Sequence, residues 1–213
     1  MKFESITMEN FMRYKGRNHI EFSCDDVKNV TVVLGDNTVG KTTIAQAFRW
    51  GLYGALMANG TKSAGDFQLL NTDILEMMDA NSRAKVKVEI AAVDEEKRYI
   101  ITRETTYTRA FPKLESREFQ KKCAMRITEL EDMESYVEVD SNEIETLINE
   151  LFPKNLSHYF LFDGERWNDV SVGGVRENIK ESVHILTGLS AYREAKNHLK
   201  DMGSNSVIKK FRS

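Results

Sequence analysis

Eight residues narrow the folds open to this chain more than any others. They are Gly35-Asp36-Asn37-Thr38-Val39-Gly40-Lys41-Thr42, a match to G-x-x-x-x-G-K-[ST]. Just before them Val30, Thr31, Val32, Val33 and Leu34 form an apolar, β-branched run that reads as a buried strand. Just after them residues 43–57 carry Ile44, Ala47, Phe48, Gly51 and Leu52 at helical spacing. Strand, glycine-bounded loop and helix is the order a phosphate-binding loop requires. Gly35 and Gly40 let the backbone curl so that several N–H groups converge on one anion. The helix beginning near Lys41 adds its positive end. The expected ligand contacts are Asp36, Asn37, Thr38, Val39, Gly40, Lys41 and Thr42, with Lys41 reaching the β- and γ-phosphates. The Thr42 hydroxyl is the expected Mg²⁺ ligand. The competing reading is a glycine loop with a structural role only.

The remainder of the chain supplies a frame for that loop. Residues 2–8 and 17–23 read as short strands, with a basic and aromatic turn, Glu9-Asn10-Phe11-Met12-Arg13-Tyr14-Lys15-Gly16, between them. Phe11 is expected in the core, whereas Arg13 lies where a short loop could aim it at a phosphate. Residues 59–66 have loop composition, and residues 69–78 read as partly helical. Val86, Val88 and Ile90 alternate, Asp94-Glu95-Glu96 is a turn, and residues 98–108 are β-branched and aromatic, so the two flanks form an antiparallel hairpin. Residues 123–128 and 136–139 read as further strands. Asp140-Ser141-Asn142-Glu143 is a helix-capping signature, followed by Ile144, Leu147, Ile148 and Leu151 on one helical face, with Pro153 as the stop. Residues 176–202 are dominated by helix formers. The expected class is α/β, a mixed sheet around the loop helix with a β-rich part, divided as a lobe over 1–175 and a helical base over 176–213 that starts a coiled coil.

Composition sets limits on the setting. A chain of 213 residues is large enough for a real core. No apolar stretch is long enough to span a membrane, and the first residues lack a secretory pattern. Cys24 and Cys123 fit no metal spacing and read as idle thiols, which points to the cytoplasm. The net charge of −3 argues against a uniformly basic polyanion binder. Its distribution is uneven, however: residues 97–126 hold nine Lys/Arg against three acids, and residues 127–150 hold nine acids and no Lys or Arg. Such a split marks either a polyanion-facing surface beside a protein-facing one, or two solvated faces that neutralise each other.

A second motif, Tyr159-Phe160-Leu161-Phe162-Asp163, is four apolar residues and an acid. It imitates a strand whose terminal Asp steadies Mg²⁺, or it is an aromatic core strand ending in an Asp163-Gly164 turn. The whole set of motifs resembles the structural-maintenance-of-chromosomes (SMC)-like ATPases, which include the SbcC and RecN/RecF groups. The likeness is carried by residues 2–14, by residues 35–43 with Leu52-Tyr53-Gly54, and by the hairpin near residues 86–103. The stretch from Asn142 through Pro153 and then from Tyr159 to Glu165 most resembles DndD, the ATPase of phosphorothioate-linked DNA restriction, and its relatives in phage defence. By this resemblance the Phe162-Asp163-Gly164-Glu165 block corresponds to the Q-loop. Asp163 then stands where a Gln usually lends its oxygen to Mg²⁺ and the attacking water. The same resemblance implies that Thr43 contacts the α-phosphate and that Arg13 belongs to a loop sensing nucleotide and DNA.

What the resemblance implies is an ATP- and Mg²⁺-dependent head, with Lys41 and Asp163 as its catalytic groups. No second apolar strand ending in Asp-Glu and no Ser-Gly-Gly signature follows in these 213 residues. The chain is therefore expected to be an N-terminal half-head that hydrolyses ATP poorly alone. Its expected partners are the C-terminal half, a second head in a dimer, DNA bound in a salt-sensitive way, and a nuclease or other defence subunit. Two other classes compete. A self-contained GTPase or small kinase lacks its Asn-Lys-x-Asp or arginine-rich lid here. A non-enzymatic scaffold would hold ATP as a structural element.

Overall fold

A computed structural model of the chain describes residues 1–36, 39–56, 68–80, 82–110, 115–154, 157 and 161, all within the unit Met1–Phe162. Six strands make one sheet in the order β2-β1-β3-β4-β5-β6. They are β1 (Lys2–Phe11), β2 (Tyr14–Glu21), β3 (Arg83–Asp94), β4 (Lys97–Arg109), β5 (Ser116–Glu129) and β6 (Asp132–Glu138). Every pairing is antiparallel. Three of the connections are two-residue turns, at Met12-Arg13, Glu95-Glu96 and Leu130-Glu131, and a tight turn can only reverse a strand.

Alternation along β3 decides which face is covered. Val86, Val88, Ile90 and Ala92 are fully buried, and their cross-strand partners on β4 are Thr105, Arg103, Ile101 and Tyr99. Ile6 and Met8 of β1 and Met125 of β5 continue the same face. On it lie α1 (Lys41–Tyr53) and α3 (Ile144–Leu151), whose Ile144 and Ile148 join the core. A 13-residue helix is marginal alone, so packing holds α1. Phe48 meets Phe3 edge-on at 4.9 Å, and Trp50 tilts against Phe11 at 5.6 Å. Each such buried apolar side chain contributes roughly 1.5–3 kcal/mol. Gly51 lets the helix come close: a Cβ there would lie 2.6 Å from Ile90 and 3.0 Å from Val88. Arg103 then fastens the end of α1, donating to the carbonyls of Gly51 and Leu52 and pairing with Glu145 of α3 at 2.8 Å.

Three expectations need correction. The class α/β with a mixed sheet gives way, among the described residues, to an antiparallel sheet with its helices on one side, rich in strand. Residues 30–34 are no strand: Val30, Val32 and Leu34 are 76%, 71% and 87% exposed. A β-branched run becomes a strand only where another strand offers an edge, and no described strand pairs with this one. Instead the chain doubles back after β2. The Ser23 N–H donates to the Thr31 hydroxyl at 3.0 Å, and Asp25 accepts the N–H groups of Val27 and Lys28, which holds its carboxyl below the usual range. The capping box at 140–143 is also replaced. Asp140 accepts the Asn142 N–H in a turn, and α3 starts without a side-chain cap. The 59–66 loop, residues 176–213 and the coiled coil lie outside the described residues.

Candidate functional site

The site is built where the chain enters α1. Gly40 precedes the helix with φ +114°, a conformation that only glycine adopts readily. No side chain caps that end, and its first turn holds no acid. The helix therefore presents its positive end with neither a side-chain cap nor a first-turn acid to offset it. Upstream, Lys41 Nζ donates to the Gly35 carbonyl at 2.5 Å and to the Asp36 carbonyl at 2.6 Å. The loop is thus closed on its own lysine. Gly35 packs close to the far side of the loop: a Cβ there would lie 2.8 Å from Val39 Cγ2, so the Val39 side chain would have to shift. Asp36, Val39, Lys41 and Thr42 are exposed, Gly40 is buried, and Thr43 is 8% exposed. Asn37, Thr38 and Asp163 lie outside the described residues.

The β1–β2 turn is brought against this loop. The Tyr14 hydroxyl donates to the Gly40 carbonyl at 3.3 Å, and its ring lies 3.4 Å from where a Gly40 Cβ would be. Burial pushes the Tyr14 phenol up, so it remains a donor at neutral pH. Arg13, exposed at the tip, is carried on the same turn. Asn10 and Met12 both have positive φ, 52° and 49°, which is strained for Met12. The surroundings hold that strain in place. Met12 N–H donates to the Leu69 carbonyl at 2.6 Å, and the Met12 carbonyl accepts from the Asn71 side chain at 2.7 Å. Asn71 also caps α2 (Thr72–Met77) through the N–H groups of Asp73 and Ile74.

Sequence reasoning singled out Arg13 but missed Tyr14, Asn71 and Arg49. Asn71 carried a signal, an Asn directly before Thr72-Asp73, which is an N-cap pattern. Arg49 carried one too, a cation between Phe48 and Trp50 on the apolar side of a helix. Tyr14 carried none, because its contact with Gly40 spans 26 residues.

The cationic stretch is less open than its composition suggests. Among the described residues, five of its Lys/Arg are in ion pairs: Lys97–Glu129, Arg98–Glu4, Arg103–Glu145, Lys121–Glu118 and Arg126–Glu138. Arg109 donates to the carbonyls of Glu76 and Met78. Part of the acidic stretch thus neutralises part of the basic one. The thiols of Cys24 and Cys123 are free, and burial pushes that of Cys123 up.

A glycine-shaped loop closed on a lysine at the acid-free start of a helix defines a P-loop nucleotide-binding protein. Residues 5–209 match the AAA domain family, and the chain belongs to that family of ATP-binding P-loop NTPases. No curated protein matches it. Among solved structures it is similar to one from work on the ATP-driven dimerization and DNA-stimulated activation of SMC ATPases. That likeness has 15% identity and a TM-score of 0.49, and covers 84% of this chain and 96% of that one.

Proposed function

We propose that this chain is the ATP-binding N-terminal half of an SMC-like, DNA-associated ATPase head that engages a second head when ATP is bound. The observation that carries this reading is the lysine-closed loop at the start of α1. Two carbonyl dipoles occupy the Lys41 ammonium. A phosphate oxygen offers it a full opposite charge instead, which adds a Coulomb attraction that a carbonyl dipole lacks. Lys41 therefore exchanges the Gly35 and Asp36 carbonyls for β- and γ-phosphate oxygens, and the loop N–H groups follow. In this reading Thr43 contacts the α-phosphate from the first helical turn, and Arg13, carried on the turn that Tyr14 holds, is the group that senses the nucleotide.

The residues present suit Mg²⁺. Thr42 is exposed at the first turn beside the loop, and Asp163 is the second ligand in this reading. Among the described residues no cluster of three or more His, Cys, Asp or Glu side chains is placed to hold a metal. Thr42 thus suits an ion whose other ligands are phosphate oxygens and water. When bound, Mg²⁺ supplies charge neutralisation at the β- and γ-phosphates. Lys41 then stabilises charge growing on the transferring group, and the loop excludes motion rather than contributing a covalent step.

The exposed valines support a missing half. Val27, Val30, Val32 and Leu34 are 71–87% exposed in one short stretch, and such apolar clusters on a protein surface mark contact sites. A C-terminal half that pairs with residues 30–34 would cover them and supply the absent hydrolytic groups. The head's pathway is DNA restriction in phage defence or DNA repair, in the cytoplasm, with a nuclease as a further subunit. The test is to measure ATP affinity and turnover on this chain alone. Binding with negligible turnover is expected. Turnover near the ~10 s⁻¹ typical of complete enzymes contradicts the half-head reading, and no ATP binding contradicts the site.

A further inference from the structure

The sheet face opposite α1 and α3 is unevenly charged. At the end where β3 begins, one row across three strands reads Arg83–Thr108–Arg117. A row four residues further along β3 reads Lys87–Glu104–Lys122, and Lys85 lies between the two. Cross-strand partners point to one face, so these five cations share a patch of roughly 10 Å by 13 Å. Glu104 pairs with Lys85 at 3.1 Å, and Glu89 pairs with Lys87 at 2.9 Å. With those two lysines so held, Arg83, Arg117 and Lys122, all exposed, are the cations of the patch most available to a partner.

Edge protection explains part of this. Charged residues on an edge strand keep it from pairing with another chain, and β6 meets β5 at the end from Arg126 to Glu129, away from Arg117 and Lys122. Arg83, Lys85 and Lys87 are outside that explanation, because β3 lies two strands in from β5. Nor is the whole face built this way. At its other end Arg98 pairs with Glu4 and Arg126 with Glu138. The patch also holds an aromatic ring. Where β5 carries an extra residue between Glu118 and Gln120, Phe119 stands 54% exposed. The Arg83 guanidinium lies over that ring, 3.8 Å from its centroid. One face of the guanidinium rests on Phe119, and its other face and its donor edge are left for a ligand.

A planar stacking platform beside fixed cations suits an unpaired nucleotide strand. A base inside a duplex already has neighbours on both faces, whereas an unpaired base can stack on a side chain. We propose that this end of the face binds single-stranded nucleic acid: one base stacks on the Arg83–Phe119 pair, and Arg83, Arg117 and Lys122 meet the phosphates. The inference rests on the DNA association proposed above and names its surface and the form of the strand. Because α1 packs on the opposite face, strand and nucleotide do not compete for one site.

The experiment follows the fluorescence anisotropy of a labelled thymidine oligonucleotide, and of a duplex of the same length, on the whole chain across a range of salt. Phe119→Leu removes the ring and keeps an apolar side chain. Arg117→Ala with Lys122→Ala removes two cations from the patch, and Lys28→Ala with Lys97→Ala removes two elsewhere. The single strand is expected to bind more tightly than the duplex, with a log–log salt slope of about −2 for three phosphates. Phe119→Leu is expected to weaken the single strand about fivefold. The patch pair is expected to lower the slope to about −0.7, and the control pair to leave it unchanged. Equal or tighter binding of the duplex, or full affinity in Phe119→Leu, overturns the single-strand site while the DNA association stands. Equal losses in the two double variants reduce the effect to net charge and overturn it as well. Displacement by polyglutamate as readily as by unlabelled strand assigns the patch to an acidic protein and also overturns it. Binding of neither DNA overturns this proposal and the DNA association together.

Discussion

Gly40 and Glu89 show how single residues set what this protein tolerates. At Gly40 the φ of +114° leaves no room for an L side chain without strain, although the space around it is ordinary. Gly40→Ala is expected to destabilise by about 1–3 kcal/mol in urea unfolding and to weaken nucleotide binding, because the loop can relax only by opening. Glu89 lies on the face of the sheet opposite the one on which α1 and α3 pack. Burial alone would raise its carboxyl, but Lys87 at 2.9 Å, the Thr102 hydroxyl at 3.4 Å and the nearby Arg17 charge outweigh that and hold it below 4.5. Its pKa is lower in the folded state, so the stabilisation is present above the unfolded value and fades as pH falls through the folded one. Glu89→Gln is therefore expected to flatten the loss of stability below about pH 4.5, read as unfolding midpoints from pH 6 to 3. An unchanged acid slope would assign it to other carboxylates.

Among the elements, the β1–β2 turn is the least local. Its strained Met12 is bonded on both sides by residues near position 70. Asn71→Ala removes a helix cap and a bond to Met12 together. A loss of about 1–2 kcal/mol is expected, with faster amide exchange at Met12, Arg13 and Tyr14 and weaker ATP binding. A stability loss without faster exchange there would limit Asn71 to capping α2. The helix after Lys41, the hairpin of β3 and β4, and α3 were legible because each declares itself by local periodicity and by its turn. Residues 30–34 were misread for the opposite reason: a strand depends on a partner edge, and no local pattern supplies one. Arg103 looks like a solvent cation by type, yet it is bonded to the Gly51 and Leu52 carbonyls at the end of α1. Only the folded register, Val88 opposite Arg103, shows why.

For the molecule as a whole, charge pairing limits what the basic stretch can do. Five members of that stretch are in ion pairs and Arg109 is bonded to the Glu76 and Met78 carbonyls, which leaves Arg117 and Lys122 as the cations most available to a polyanion among the described residues. DNA binding by this chain is accordingly expected to be weak, with log affinity falling against log salt at a slope of about −2. A slope near −8 would mean that the pairs open on DNA and that the whole strip faces it. Family membership makes the chain an ATP-binding NTPase, and its central claim concerns where the triphosphate lies. The most direct measurement is a backbone amide NMR titration of the protein with Mg²⁺-ATP, with AMP as a control and Lys41→Ala as a second one. The prediction is large shifts at Gly40, Lys41, Thr42 and Thr43 with ATP, small ones with AMP, and none in Lys41→Ala. Shifts that spare those four amides, or that persist unchanged in Lys41→Ala, would contradict it.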